Sequence, residues 1–125
     1  MKYKMKLRIR GNSLRLRLNR RDVERFIETG TVEESIRFGV GEHERLTYAL
    51  ESSAQAAVVA ARFEGGRITV ILPLYDALKW AQKSEQISFM GEQQFGAAMG
   101  AEPLKILIEK DFACLTKRDA DALEG

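Results

Sequence analysis

The chain has little that could carry familiar catalytic chemistry. It holds one cysteine, Cys114, and one histidine, His43. A lone cysteine forms no internal disulfide, which is the usage expected in the reducing cytoplasm. One His and one Cys cannot make an ordinary zinc site. No G-x-S-x-G, Walker A, H-E-x-x-H or C-x-x-C pattern occurs. His43 lies in "GVGEHE", whose Gly39 and Gly41 make a turn and not a dinucleotide fingerprint, so a surface histidine is expected there. Cys114, in "KDFACL", reads as a small buried hydrophobe. Long hydrophobic runs are missing too. The longest, "AAVVAA" at 56–61, is far too short to span a bilayer. The first residues are charged and have no apolar h-region, so neither a secretory signal nor a membrane partner is expected.

What is present is an uneven distribution of charge. The net charge of +2 hides a basic beginning. Residues 1–25 hold ten of the twenty Lys and Arg and only Asp22 and Glu24 of the eighteen acids. A split this sharp means either pairing between the two parts of the chain or a patch that faces anions.

The basic part is patterned. In "KLRIRGNSLRLRL" apolar and cationic residues alternate about Gly11-Asn12, which predicts two half-buried strands joined by a two-residue turn. That register sets Leu7 opposite Leu16 and Ile9 opposite Leu14. It also sets Arg8 opposite Arg15 and Lys6 opposite Arg17, and like charges across a ladder destabilise it by up to about 1 kcal/mol per pair. A helix follows, with Asn19 as cap, Val23, Phe26 and Ile27 as apolar stripe and Gly30 as terminator. Strand patterns at 32–38 and 45–51 complete a ββαββ unit.

The same unit recurs 54 residues later. Lys4–Ile27 falls on Val58–Ala81 without a gap, Gly11 on Gly65, Asp22 on Asp76 and Phe26 on Trp80. Pro73 stands near the start of the second helix, whose stripe is Ala77, Leu78 and Ala81. "QISFM" (86–90) then answers "ESIRF" (34–38), and "LKILIE" (104–109) answers "LTYALE" (46–51). The fold class expected is α+β: a duplicated ββαββ unit of eight mostly antiparallel strands with two helices. The strands form either a barrel or two packed sheets. One domain over 1–115 is expected, with repeats over about 4–52 and 54–113. The loop at 91–103 and the tail at 116–125 are read as loosely held.

If the helices covered the outside of a barrel, the charged strand faces would line its lumen. Arg8, Arg15, Arg17, Arg62, Lys6 and Arg37 are then the candidate anion-binding residues, Arg being suited to bidentate recognition. A solvated sheet face would explain the same alternation without a ligand. Glu51 and Glu109 occupy matching places in the two repeats and are the candidate ligands for a divalent ion such as Mg²⁺. Alternatively they are ion-paired to nearby Arg. No exposed aromatics interleave the basic stripe to stack bases, and the acidic remainder would repel a long polyanion, which argues against nucleic acid.

Two stretches resemble a known family. "MKLRIRGNSLRLRL" and "ILIEKDFACL" are similar to a family of short uncharacterised bacterial proteins, a resemblance that implies no activity. A duplicated, eight-stranded α+β barrel with a charged lumen also resembles the CYTH-like triphosphate tunnel enzymes. Those bind triphosphate through inward Arg and Lys and a divalent ion through inward Glu. Their first strand carries Glu-x-Glu-x-Lys, where this chain has Lys4, Lys6 and Arg8. The resemblance therefore implies the architecture and anion binding. Three functions follow as expectations. The first is a cytosolic domain that binds a phosphate- or carboxylate-bearing small molecule. The second is a protein-interaction or homodimerisation module. The third is a metal-dependent phosphohydrolase using Glu51 and Glu109.

Overall fold

The structure is a computed structural model and describes residues 5–83, 87–95 and 102–111. Its elements run β1 (Lys6–Arg10), β2 (Ser13–Leu18), α1 (Arg20–Thr29), β3 (Thr31–Arg37), β4 (Arg45–Ser53), β5 (Ala60–Glu64), β6 (Arg67–Pro73), α2 (Leu74–Gln82), β7 (Ser88–Gln93) and β8 (Leu104–Lys110). A short 3-10 turn at Glu42–Glu44 precedes β4 and carries His43, which is exposed.

Local rules account for each element. In the first hairpin Gly11 takes φ +55°, which only Gly adopts freely, and the predicted pairs Leu7–Leu16 and Arg8–Arg15 form. Asn19 caps α1, its Oδ1 accepting from the Asp22 N–H at 2.8 Å. Gly30 ends the helix in the left-handed region, and its N–H donates to the Phe26 carbonyl at 2.8 Å. Pro73 precedes α2, where no N–H is needed.

The eight strands form two four-stranded sheets, β1-β2-β8-β7 and β3-β4-β6-β5. Each sheet therefore joins the first hairpin of one repeat to the second hairpin of the other. The registers repeat as well. Ser13 lies beside Lys105 in one sheet, and Arg67 lies beside Thr47 in the other. Arg67 follows Ser13 by 54 residues and Lys105 follows Thr47 by 58, so the two inner pairs are equivalent residue for residue. The duplication is thus written into the pairing and not only into the pattern.

Of the two architectures expected, the packed sheets form: they lie face to face and do not close into a barrel. The strand pairings are mostly antiparallel, as expected. The inner pairs, β2 with β8 and β4 with β6, are the parallel ones; each sets a strand of one repeat beside a strand of the other. β7 spans 88–93 and matches β3 from Ser88 and Thr31, not from Gln86 and Glu34. Gly91–Gln93, read as loop, belong to that strand and pair with Ile106, Lys105 and Leu104; at Gly91 the Val59 side chain occupies the place a Cβ would take. The stretch 96–101, Cys114 and the tail at 116–125 lie outside the described residues.

The core is apolar and shared. Leu14, Leu16, Leu18, Ile106 and Ile108 face Leu50, Val70 and Leu72 of the other sheet. Val23 and Phe26 of α1 and Ala77 and Trp80 of α2 join the same cluster. Phe26 and Trp80, equivalent in the two repeats, meet edge to face with centroids 6.3 Å apart. Ile27, expected in the stripe, is exposed.

One buried group carries a pH signature. Asp22 is buried, and its Oδ2 has no hydrogen-bond partner. Burial, and then the charge of Glu34, raise its pKa above the usual carboxylate value. A carboxyl raised in the folded state costs nothing below the unfolded value and progressively destabilises as pH climbs through the folded one. Asp22→Asn is therefore expected to flatten the loss of stability above about pH 4. Urea melts of both proteins from pH 3.5 to 7 check this; parallel profiles would contradict it.

Candidate anion-binding face

Alternation along each strand sends the apolar side chains inward, so the charged ones face out. The enclosed channel expected for Lys6, Arg8, Arg15 and Arg17 does not exist, because Leu and Ile fill the space between the sheets. These four cations instead share the outer face of β1-β2-β8-β7.

That face is organised in three rows, each crossing all four strands. Nearest the helices, Lys6, Arg17, Glu109 and Ser88 stand side by side. The middle row is Arg8, Arg15, Leu107 and Met90. The row nearest the hairpin turn is Arg10, Ser13, Lys105 and Glu92.

The first row is neutralised. Glu109 Oε1 lies 3.3 Å from Arg17 Nε and reaches back to Arg15 Nη1 at 3.6 Å. Lys6 Nζ lies 3.9 Å from Asp111. The other rows are not. Among the described residues Arg8, Arg10 and Lys105 have no carboxylate within 4.0 Å. Ser13 Oγ donates to the Arg10 carbonyl at 2.6 Å and fixes the turn. Over these two rows lies an open depression of about 520 Å³, with Arg8, Arg10, Arg15 and Lys105 on its walls and Glu92 and Met90 at one side.

The outer face of the other sheet centres on a paired cation. Arg67 donates to Glu33 at 2.9 Å, to Glu51 at 3.3 Å and to the Thr69 hydroxyl at 3.2 Å. Its hydrogen bond to Glu33 leads the causes that raise its pKa further. Arg37 is spent on its own loop, donating to the carbonyls of Gly39 and Val40 at 3.3 and 3.5 Å. Arg62 stands on edge strand β5 of this sheet. The six sequence candidates therefore divide: Lys6, Arg8, Arg15 and Arg17 come together, while Arg37 and Arg62 do not join them.

Glu51 and Glu109 also part company. They lie on the outer faces of different sheets, each held by arginine, as the ion-pair alternative required. No group of three or more His, Cys, Asp or Glu able to hold a metal occurs among the described residues. The Mg²⁺ pair expected of them is not assembled. Arg10 and Lys105 were the residues missed as site candidates. Arg10 was visible in the stripe, but Lys105 enters only through the parallel pairing of β2 with β8, which spans 92 residues.

The fold and this face define a class: a duplicated α+β protein of two exchanged sheets, with an outer face on which Arg8, Arg10 and Lys105 have no carboxylate within 4.0 Å among the described residues. The chain belongs to a family of unknown function, DUF7009, whose model matches residues 5–124. No curated protein and no solved structure matches it. No helix among the described residues is long and apolar enough to cross a membrane.

Proposed function

We propose that this domain binds a phosphate- or carboxylate-bearing small anion on the outer face of β1-β2-β8-β7. Arg8, Arg10, Arg15 and Lys105 are the donors. One observation carries the reading. Three of these four cations share a depression with no carboxylate within 4.0 Å of them among the described residues, while their neighbours one row away are neutralised by Glu109 and Asp111. Of the like-charged pair Arg8–Arg15, Glu109 reaches only Arg15, at 3.6 Å, so Arg8 still weakens the ladder unless a further anion lies over it. Two forked guanidinium groups and an ammonium suit a compact polyanion better than a singly charged one.

Tripolyphosphate and citrate are the probes. At a hundredfold excess over Kd a ligand stabilises by about 2.7 kcal/mol, a rise of several degrees in Tm. That rise is expected in the wild type at low salt, and is expected to vanish in Arg8→Ala/Lys105→Ala. An equal rise in both proteins, or none in either, would refute the assignment.

A further inference from the structure

The depression on the outer face differs from side to side. Its arginines stand on one side, Arg8 and Arg10 on β1 and Arg15 on β2. The other side is apolar. The middle row, Arg8, Arg15, Leu107 and Met90, changes character halfway, between β2 and β8. Leu107 and Met90 lie opposite each other across β8 and β7 and look outward with the arginines, while Ile106, Ile108 and Phe89 take the core side. Met90 is 74% exposed. Neighbouring strands lie about 4.8 Å apart, so these two side chains form a platform on which a flat ring fits beside the cations.

The row nearest the hairpin turn adds an acceptor at the far edge of that platform. Glu92 stands directly opposite Lys105 across the ladder. Even so, no Lys or Arg nitrogen comes within 4.0 Å of its carboxylate among the described residues. Among them it accepts only from Gln94 Nε2, at 3.5 Å. Met90 and Glu92 are two residues apart on β7, so their side chains share a face about 7 Å from each other along the strand. A bare polyanion uses the cationic side alone. It leaves the platform uncovered and meets a like charge at Glu92.

We propose that the anion bound here is a nucleotide, with its phosphates on Arg8, Arg10, Arg15 and Lys105, its base over Leu107 and Met90, and the edge of the base donating to Glu92. The inference rests on the anion-binding reading of this face and names the class of ligand. Methionine sulfur makes favourable contacts with aromatic rings. An ionised carboxylate only accepts, and its two oxygens suit two parallel donors. Guanine presents such a pair, a ring N–H beside an amino group. Adenine and cytosine set a ring acceptor beside the amine, and that acceptor would face a carboxylate oxygen. Guanine nucleotides are therefore the preferred members of the class. An acyl or prenyl phosphate would cover the platform and leave Glu92 without a donor. A single nucleotide also escapes the repulsion that the acidic remainder of the chain imposes on a long polyanion, and it stacks on methionine where the stripe offers no aromatic ring.

Calorimetric titration at low salt with GDP, ADP and pyrophosphate tests it. The wild type is expected to bind GDP about tenfold more tightly than pyrophosphate, the size of effect of a ring on methionine together with a charge-assisted pair. It is expected to bind GDP several-fold more tightly than ADP. Met90→Ser, at an exposed position outside the core, is expected to weaken GDP several-fold and to leave pyrophosphate unchanged. Glu92→Gln is expected to erase the preference for GDP over ADP and to strengthen pyrophosphate. Arg8→Ala/Lys105→Ala is expected to weaken all three. Three results would each overturn the nucleotide and leave the anion-binding reading standing: GDP no tighter than a pyrophosphate that needs Arg8 and Lys105, Met90→Ser weakening both probes alike, or a GDP-to-ADP ratio untouched by Glu92→Gln. Failure of all three probes to bind the wild type would remove both readings together.

Discussion

Trp80→Ala is expected to remove about 3–5 kcal/mol of stability, the range for truncating a large aromatic in a packed core. Trp80 is fully buried and joins both helices to the sheets. Its ring meets Phe26 edge to face, and its Nε1–H donates to the Ile87 carbonyl at 3.2 Å. The Lys110 ammonium lies 5.3 Å from its centroid and donates to the Lys83 carbonyl at 2.6 Å. Alanine would leave a cavity, strip the Ile87 carbonyl of its donor and withdraw the ring from a buried cation. Domains of this size are stable by about 5–15 kcal/mol, so the loss threatens folding at body temperature. Trp80 is the only tryptophan, so the variant must be followed by circular dichroism in urea and not by fluorescence. A change below about 1 kcal/mol would mean that the helices do not seal the sandwich as described.

The same ring shows what the sequence could and could not reveal. Phe26 and Trp80 were aligned by the 54-residue repeat, and turn chemistry placed both hairpins in register. Those features are local: a Gly with positive φ, an Asn cap, a period of two. What was not legible is which way the charged faces look. Alternation is identical in a barrel with a charged lumen and in a sandwich with charged outer faces. Physical cost decides between them. A lumen would take Arg8, Arg15, Arg17 and Arg62 out of water, at several kcal/mol per ion unless each were paired. The sandwich buries Leu14, Leu16, Ile106 and Ile108 instead and leaves the cations hydrated. The exchange of hairpins between repeats was equally hidden, because no local signal says that β2 will lie beside β8. That pairing brings Lys105 to the candidate site and sets Glu109 beside Arg17. Arg62, by contrast, was grouped with Arg8 through the repeat itself, and equivalence in sequence became separation in space once each hairpin joined a different sheet.

The consequence of that exchange is testable at Glu109, where stability and binding are expected to move in opposite directions. Its side chain is one-fifth exposed and lies between two guanidinium groups, at 3.3 and 3.6 Å. Beside it run two like-charged cross-strand pairs, Lys6–Arg17 and Arg8–Arg15. Glu109→Gln keeps the shape and removes the charge, so both pairs lose their shared counter-ion. The expected cost is about 1–2 kcal/mol at low salt, the sum of two uncompensated like-charge contacts. Much of it should return in 0.5 M NaCl, where the screening length falls to roughly 4–5 Å. Freed Arg15 and Arg17 should meanwhile bind tripolyphosphate several-fold more tightly at low salt. Glu51→Gln is the internal comparison. Its arginine, Arg67, keeps Glu33 at 2.9 Å, so that change is expected to cost under about 1 kcal/mol and to leave binding alone. Urea melts at both salt concentrations and a phosphate titration of the three proteins separate these outcomes. If Glu109→Gln lost stability without gaining affinity, the carboxylate would be holding strands together and the cations beside it would have no call on an outside anion.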